Sequence, residues 1–265
     1  MIPIYEAIEF KGLMQGGSTR PWQVMVLENG VPESYVVKLY DEVNNEQNCT
    51  VFKECICSRL AREFDLETPD AALIDFTPAF IANLPDPFRN VLRQKDPRLK
   101  FATKLVRSPY QNYSPALSEA FLKGFDIGTI YAFDNLILNV DRRVEKPNLL
   151  FKDGRVVLID HELTLTTTQN AEKALIANVP WSHYYQNHLF FRNLKYMNDQ
   201  EREGCFDGFS YYLRDLIDFS FLDLIADQLV ECGHPAEAYI PIKRYLCKAQ
   251  ENESIFVQLL ESTLQ

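Results

Sequence analysis

The stretch from Ala132 to Leu163, AFDNLILNVDRRVEKPNLLFKDGRVVLIDHEL, constrains the fold more than any other part of the chain. An apolar helical run leads into a polar loop carrying Asp141 and Asn148. A short apolar strand follows, then a turn at Asp153-Gly154, then a second strand, RVVLID, that ends on Asp160. One tight hairpin thus delivers two carboxylates and an amide to neighbouring strand ends. Oxygen ligands arranged in this way suit a hard cation such as Mg²⁺ and the phosphates it carries.

The 265 residues, 46% hydrophobic and 24% charged, read as globular, with length for one large domain or two lobes. A net charge of −10 argues against a general nucleic-acid binder, which needs a basic face, although a local basic cleft is compatible with it. The start, MIPIYEAIEFKG, has neither the basic region nor the apolar core of a signal peptide. No run approaches about 18 uninterrupted apolar residues, so no membrane span is expected. Cys49, Cys55, Cys57, Cys205, Cys232 and Cys247 form no CxxC pair, and Cys55 and Cys57 diverge on a helix. Reduced, mostly buried thiols in a cytoplasmic protein follow.

In chain order, residues 4–11 read as a first strand, GLMQGGSTRPW as a Gly-rich turn, and the runs around Asn29-Gly30 as an antiparallel hairpin. Val51, Cys55, Ile56, Leu60 and Phe64 recur with helical spacing, which predicts a helix over 48–64. AALIDFTPAFI reads as one or two strands, KFATKLV as another, and SPYQNYSP as an open linker. Ser118 is the expected N-cap of a long helix reaching about Asn139, and the chain after the central hairpin reads as mainly helical. The expected architecture is α+β and bilobal: a smaller β-rich N-lobe over 1–110 and a larger, mainly helical C-lobe over 111–265, with the boundary near 105–115.

Several residues could carry chemistry. Gly16-Gly17-Ser18-Thr19 either brings backbone N–H groups to a phosphate or is merely a turn, and it lacks the Gly-Lys-Ser/Thr of a P-loop. Lys38 in YVVKLY follows three apolar positions, so it either snorkels at a sheet edge or is held for an anion. Glu54, in the following helix, reads either as its partner or as one solvated acid of many. Asp141, Asn148 and Asp160 supply an acid, an amide and an acid in the order phosphoryl transfer needs them. His183, His188 and His234 show no metal-ligand spacing, and Trp181, Tyr184, Tyr185, Phe190 and Phe191 read as packing.

The set GGSTRPW, YVVKLY, FDNLILNVDRRVEKPNLLF and VVLIDHE resembles the HipA-like kinase family in its short form, over roughly residues 12–165. It is more distantly similar to type II phosphatidylinositol 4-kinases, whose catalytic loop also opens on Asp-Arg. The resemblance implies a protein-kinase-like fold binding ATP and Mg²⁺, and transfer of the γ-phosphoryl group to a hydroxyl, of protein serine or threonine first. By the same resemblance Lys38 contacts the ATP phosphates, Gly16, Gly17, Ser18, Thr19 and Glu54 belong to the nucleotide site, Asp141 is the catalytic base, and Asn148 and Asp160 bind metal. Ser18 and Thr19 stand where some relatives autophosphorylate.

Two positions depart from the family pattern. The fifth residue after the aspartate is Lys146 where relatives tend to carry asparagine, and Glu162 follows Asp-His where they tend to carry glycine. They suggest an alternative in another class, a catalytically weak nucleotide-binding module acting as antitoxin or scaffold; within enzymes the alternative is a lipid or small-molecule kinase. The resemblance also brings a toxin–antitoxin setting, with a protein substrate and a separately encoded antitoxin or DNA-binding partner; no direct nucleic-acid or membrane contact is expected.

Overall fold

In the computed structural model, which describes residues 1–14, 20–180 and 185–265, the chain opens with a meander of β1 (Ile4–Leu13), β2 (Trp22–Glu28) and β3 (Val31–Val37). Asn29 and Gly30 both take left-handed backbone, φ 52° and 81°, the geometry a two-residue turn needs to match strand twist. Helices α1 (Glu42–Asn48) and α2 (Thr50–Glu63) follow, then β4 (Ala71–Asp75), α3 (Pro78–Ala82), α4 (Asp86–Leu92) and β5 (Lys100–Lys104). The five strands close into a barrel in the order β1-β2-β3-β5-β4, with β1 and β4 parallel. Trp22, Val24 and Val26 alternate inward on β2 against Tyr35 and Val37 of β3, and Trp22 stacks on Phe76 with centroids 5.9 Å apart.

The next elements are β6 (Gln111–Asn112), α5 (Glu119–Leu122), α6 (Ile127–Leu136), β7 (Leu149–Lys152) and β8 (Arg155–Leu158). β6, β7 and β8 make a small antiparallel sheet, and Asp153 and Gly154 turn β7 into β8 with φ 51° and 74°. Helices α7 (Thr168–Ile176), α8 (Phe191–Lys195), α9 (Asp199–Arg202) and α10 (Asp207–Tyr211) follow, the last running into a π turn over Tyr212–Leu216. The chain ends with α11 (Phe221–Glu231), α12 (Tyr239–Glu251) and α13 (Glu253–Thr263). The architecture is mixed α+β. Among the described residues no helix is long and apolar enough to cross a membrane, and all six cysteines are free thiols.

Local structure departs from expectation at four places. The helix predicted over 48–64 is α2, Thr50–Glu63, but a further helix, α1, precedes it unforeseen and ends where Cys49 adopts left-handed φ 48°. PAFIA is helical, not extended: Thr77 Oγ1 accepts from Phe80 N at 3.2 Å and Pro78 sits in the first turn. Ser118 caps only α5; Asp126 starts α6 afresh by accepting from Thr129 N at 2.9 Å. The presumed linker at 108–115 contributes β6.

Two compact units emerge, Met1–Ser58 with Pro69–Ser108 and Phe221–Ala238, and Arg59–Thr68 with Pro109–Ser220 and Tyr239–Gln265. The expected division had each part continuous, and residues 59–68 and 221–238 depart from it. In the first unit, Arg98 donates to both carboxylate oxygens of Asp96, at 2.8 and 2.7 Å, and to Gly233 O at 2.9 Å, while buried Asn45 bonds Asp96 Oδ2 at 2.8 Å and His234 Nδ1 at 3.2 Å. That polar cluster ties the end of α11 to the 96–98 turn. Burial pushes the Asp96 carboxyl up, but the hydrogen bonds from Arg98 and Asn45 outweigh it and hold it at about 2. In the second unit, Phe64 stacks on Phe209 with centroids 5.0 Å apart, and Leu158 N donates to Glu67 O at 2.8 Å. Those contacts place residues 59–68 there.

Candidate active site

In the first unit, β3 runs on past Val37: Lys38 N donates to Phe101 O at 3.0 Å, which keeps the lysine in the ladder with β5. Its Nζ donates to Glu54 Oε1 in a charged pair whose carboxylate is buried by α2. Tyr40 Oη donates to the same oxygen at 2.9 Å. The strand lysine is thus held by a carboxylate with its own second donor, a fixed cation suited to anion binding. Gly16, Gly17, Ser18 and Thr19 lie outside the described residues, as do Trp181, His183 and Tyr184. The flanks of the Gly-rich turn are joined by Met14 N donating to Pro21 O at 2.8 Å.

In the second unit, α6 is buried along its whole length, as an all-round apolar helix must be. It carries one carboxylate, Asp134, into this apolar setting. Arg142 Nε donates to Asp134 Oδ2 at 2.6 Å, and His188 Nε2 meets the same oxygen at 2.9 Å. Phe190 N donates to His188 Nδ1 at 3.2 Å, which places the imidazole proton on Nε2. Asn139 Nδ2 donates to Asp134 Oδ1 at 2.8 Å, and its Oδ1 accepts from Asp141 N at 3.0 Å. Burial would push the Asp134 carboxyl up, yet the Arg142 charge and the His188 hydrogen bond outweigh that and bring it to about 2.

Arg142 extends the same scaffold outward. Its Nη1 donates to the Asn148 carbonyl, and Nη2 lies 3.3 Å from His161 Nε2. Asp141 directly precedes Arg142, Asn148 accepts from its Nη1 through the main-chain carbonyl, and Asp160 directly precedes His161, which meets its Nη2. Ile159 N donates to Asn148 O at 3.0 Å, which closes the open end of the β7–β8 hairpin. Asn148 and Asp160 both adopt left-handed backbone, φ 48° and 62°, as asparagine and aspartate tolerate better than most residues. Asp160 therefore lies two residues beyond β8 and does not end the strand.

The Asp141 carboxylate is ringed by donors: Lys146 Nζ and, at 3.4 Å, Asn148 Nδ2 on Oδ2, with Arg143 Nη2 3.6 Å from Oδ1. Lys146 Nζ is also 3.4 Å from Asp160 Oδ2. Burial would push the Lys146 ammonium down, but the hydrogen bond to Asp141 and the charges of Asp160, Asp141 and Glu162 raise it. The unit therefore collects two carboxylates, an amide and an ammonium around one hairpin end. Carboxylate and amide oxygens are ligand types a hard divalent cation takes, and Asn148 and Asp160 are residues that could hold one.

Asp134, Asn139 and His188 were not singled out by sequence. His188 stands 54 residues from Asp134, so no local pattern joins them; the one signal is a carboxylate inside the apolar run AFDNLIL. Phe190 is buried with its ring 6.2 Å from Tyr113, and Tyr185 packs 5.8 Å from Phe191, so these aromatics pack against their neighbours.

Comparison with known proteins adds three findings. None of the curated proteins matches the sequence. A solved structure of a Helicobacter pylori proinflammatory kinase, CtkA, matches with a TM-score of 0.56 at 13% identity, over 100% of this chain and 98% of that one. At that identity the likeness speaks for the fold alone. The model of a family described as HipA-like kinase matches residues 7–198, well over half of the sequence. The chain belongs to the HipA-like kinase family.

Proposed function

We propose that the chain is an ATP- and Mg²⁺-dependent phosphotransferase that acts on serine or threonine hydroxyls of a protein. The observation that carries this reading is Asp141, whose N–H is held by Asn139 and whose carboxylate meets Asn148 Nδ2, with Lys146 between it and Asp160. Asp141 is assigned as the base. The acceptor oxygen bonds to the γ-phosphorus as its proton passes to the Asp141 carboxylate, the bond to the β–γ bridging oxygen breaks, and ADP leaves. Mg²⁺, when bound, neutralises charge on the phosphates, and Asn148 and Asp160 are the residues that would hold it. Lys38, fixed by Glu54, is assigned to the nucleotide phosphates. Gly16 and Gly17 keep their assignment to phosphate on sequence grounds, with Ser18 and Thr19 as hydroxyls open to self-modification.

The test is incubation with γ-labelled ATP and a mixture of protein acceptors, followed by partial acid hydrolysis. Phosphoserine or phosphothreonine is expected. Label confined to an organic-soluble lipid fraction would move the assignment to a lipid kinase. Nucleotide binding with no labelled product of any kind would move it to a binding module.

A further inference from the structure

Two carboxylates converge on one ammonium at the hairpin end. Lys146 Nζ donates to Asp141 Oδ2 and lies 3.4 Å from Asp160 Oδ2. The position is built by the backbone: Arg143 N donates to Lys146 O at 3.1 Å and Lys146 N to Arg143 O at 3.0 Å. This closed turn folds residue 146 back over Asp141, and the side chain is only 29% exposed. Asp141 Oδ2 takes a second donor from Asn148 Nδ2 at 3.4 Å.

Charge sets the consequence. Asp141 and Asp160 alone would present two negative charges, a set that can draw more than one divalent ion beside nucleotide phosphates. With the ammonium between them the net charge is halved. A divalent ion bridging the same two carboxylates would also have to sit beside a fixed like charge, which Coulomb repulsion opposes.

We propose that Lys146 is itself one of the cations of the site, so that the chain takes a single divalent ion with nucleotide, whereas an amide at this position would admit two. This rests on the phosphotransferase reading. In the working site the ammonium would do the charge-balancing part of a second metal without the requirement that a metal be recruited.

Mn²⁺ binding, counted by electron paramagnetic resonance of the free ion, tests the inference on the full chain saturated with a nonhydrolysable ATP analogue. One Mn²⁺ per unaltered chain and two per Lys146→Asn chain are expected. Without nucleotide, Lys146→Asn should tighten Mn²⁺ binding by at least about tenfold, since it removes a neighbouring positive charge. Lys146→Gln serves if Lys146→Asn does not fold, and the count on the unaltered chain decides alone if neither does. Two ions on the unaltered chain, or an unchanged count and affinity in a folded variant, would overturn the inference and leave the phosphotransferase reading intact. A chain that fails to displace a fluorescent nucleotide would overturn that reading, and the inference with it.

Discussion

Arg142 Nε donates to Asp134 Oδ2 at 2.6 Å, and neither side chain is more than 1% exposed. A buried ion pair is costly to form and costlier to break, because the surviving charge cannot be solvated. Asp134→Ala would remove the acceptor that Arg142 Nε and His188 Nε2 share and the only buried carboxylate paired with that guanidinium among the described residues. The expected loss is about 3–5 kcal/mol, read from the urea midpoint of unfolding. A loss under about 1 kcal/mol would show that water or another side chain replaces the carboxylate.

The two depressed carboxyls make acid stability informative. Asp96 falls from 3.8 to about 2 in the folded chain. A carboxyl depressed in this way contributes stability that is present above its unfolded value and lost as pH falls through its folded value. The window is therefore pH 3.8 down to about 2, and the contribution is on the order of 2 kcal/mol. Urea unfolding across that window should show a steep decline that Asp96→Asn makes shallower. Equal slopes would contradict the assignment.

Lys38 and Glu54 act as one unit, so their substitutions should not add. Lys38→Met and Glu54→Gln are each expected to weaken nucleotide binding at least about tenfold, the scale of one charge-assisted contact. The double variant should be little worse than either single one. Isothermal titration with an ATP analogue measures all three, and full additivity would separate the two residues.

Gly128 in α6 has no room for a side chain: an added Cβ would lie 2.1 Å from the Cys205 carbonyl oxygen. Gly128→Ala must push α6 away from that backbone. The expected cost is about 2–3 kcal/mol by thermal or urea unfolding, despite alanine's better helix propensity. An unchanged or raised melting temperature would show that the 205 segment yields freely.

What the sequence made legible was local. Asn29-Gly30 and Asp153-Gly154 turn their strands because the residues that tolerate left-handed backbone stand where two-residue turns need them. Lys38, Asp141, Asn148 and Asp160 could be picked out because spacing along one strand or one hairpin places them. The break between α5 and α6 was hidden because apolar spacing continues across Gly124 and Asp126, while the Asp126 cap is visible only as a contact. PAFIA is too short for periodicity to separate helix from strand, and its Thr-Pro start was the better guide. The Asp134–Arg142–His188 scaffold and the membership of residues 59–68 and 221–238 depend on long-range packing that no local window contains.

The most direct measurement is single-turnover transfer from γ-labelled ATP by the unaltered chain and by Asp141→Asn, with circular dichroism and melting temperature recorded for both. Asparagine keeps the shape of the side chain and removes its capacity to take a proton. The expected result is a loss of at least about a hundredfold in the transfer rate with the fold retained. A folded Asp141→Asn chain that transfers phosphate at the unaltered rate would contradict the assignment of Asp141 as the base, and with it the proposed mechanism.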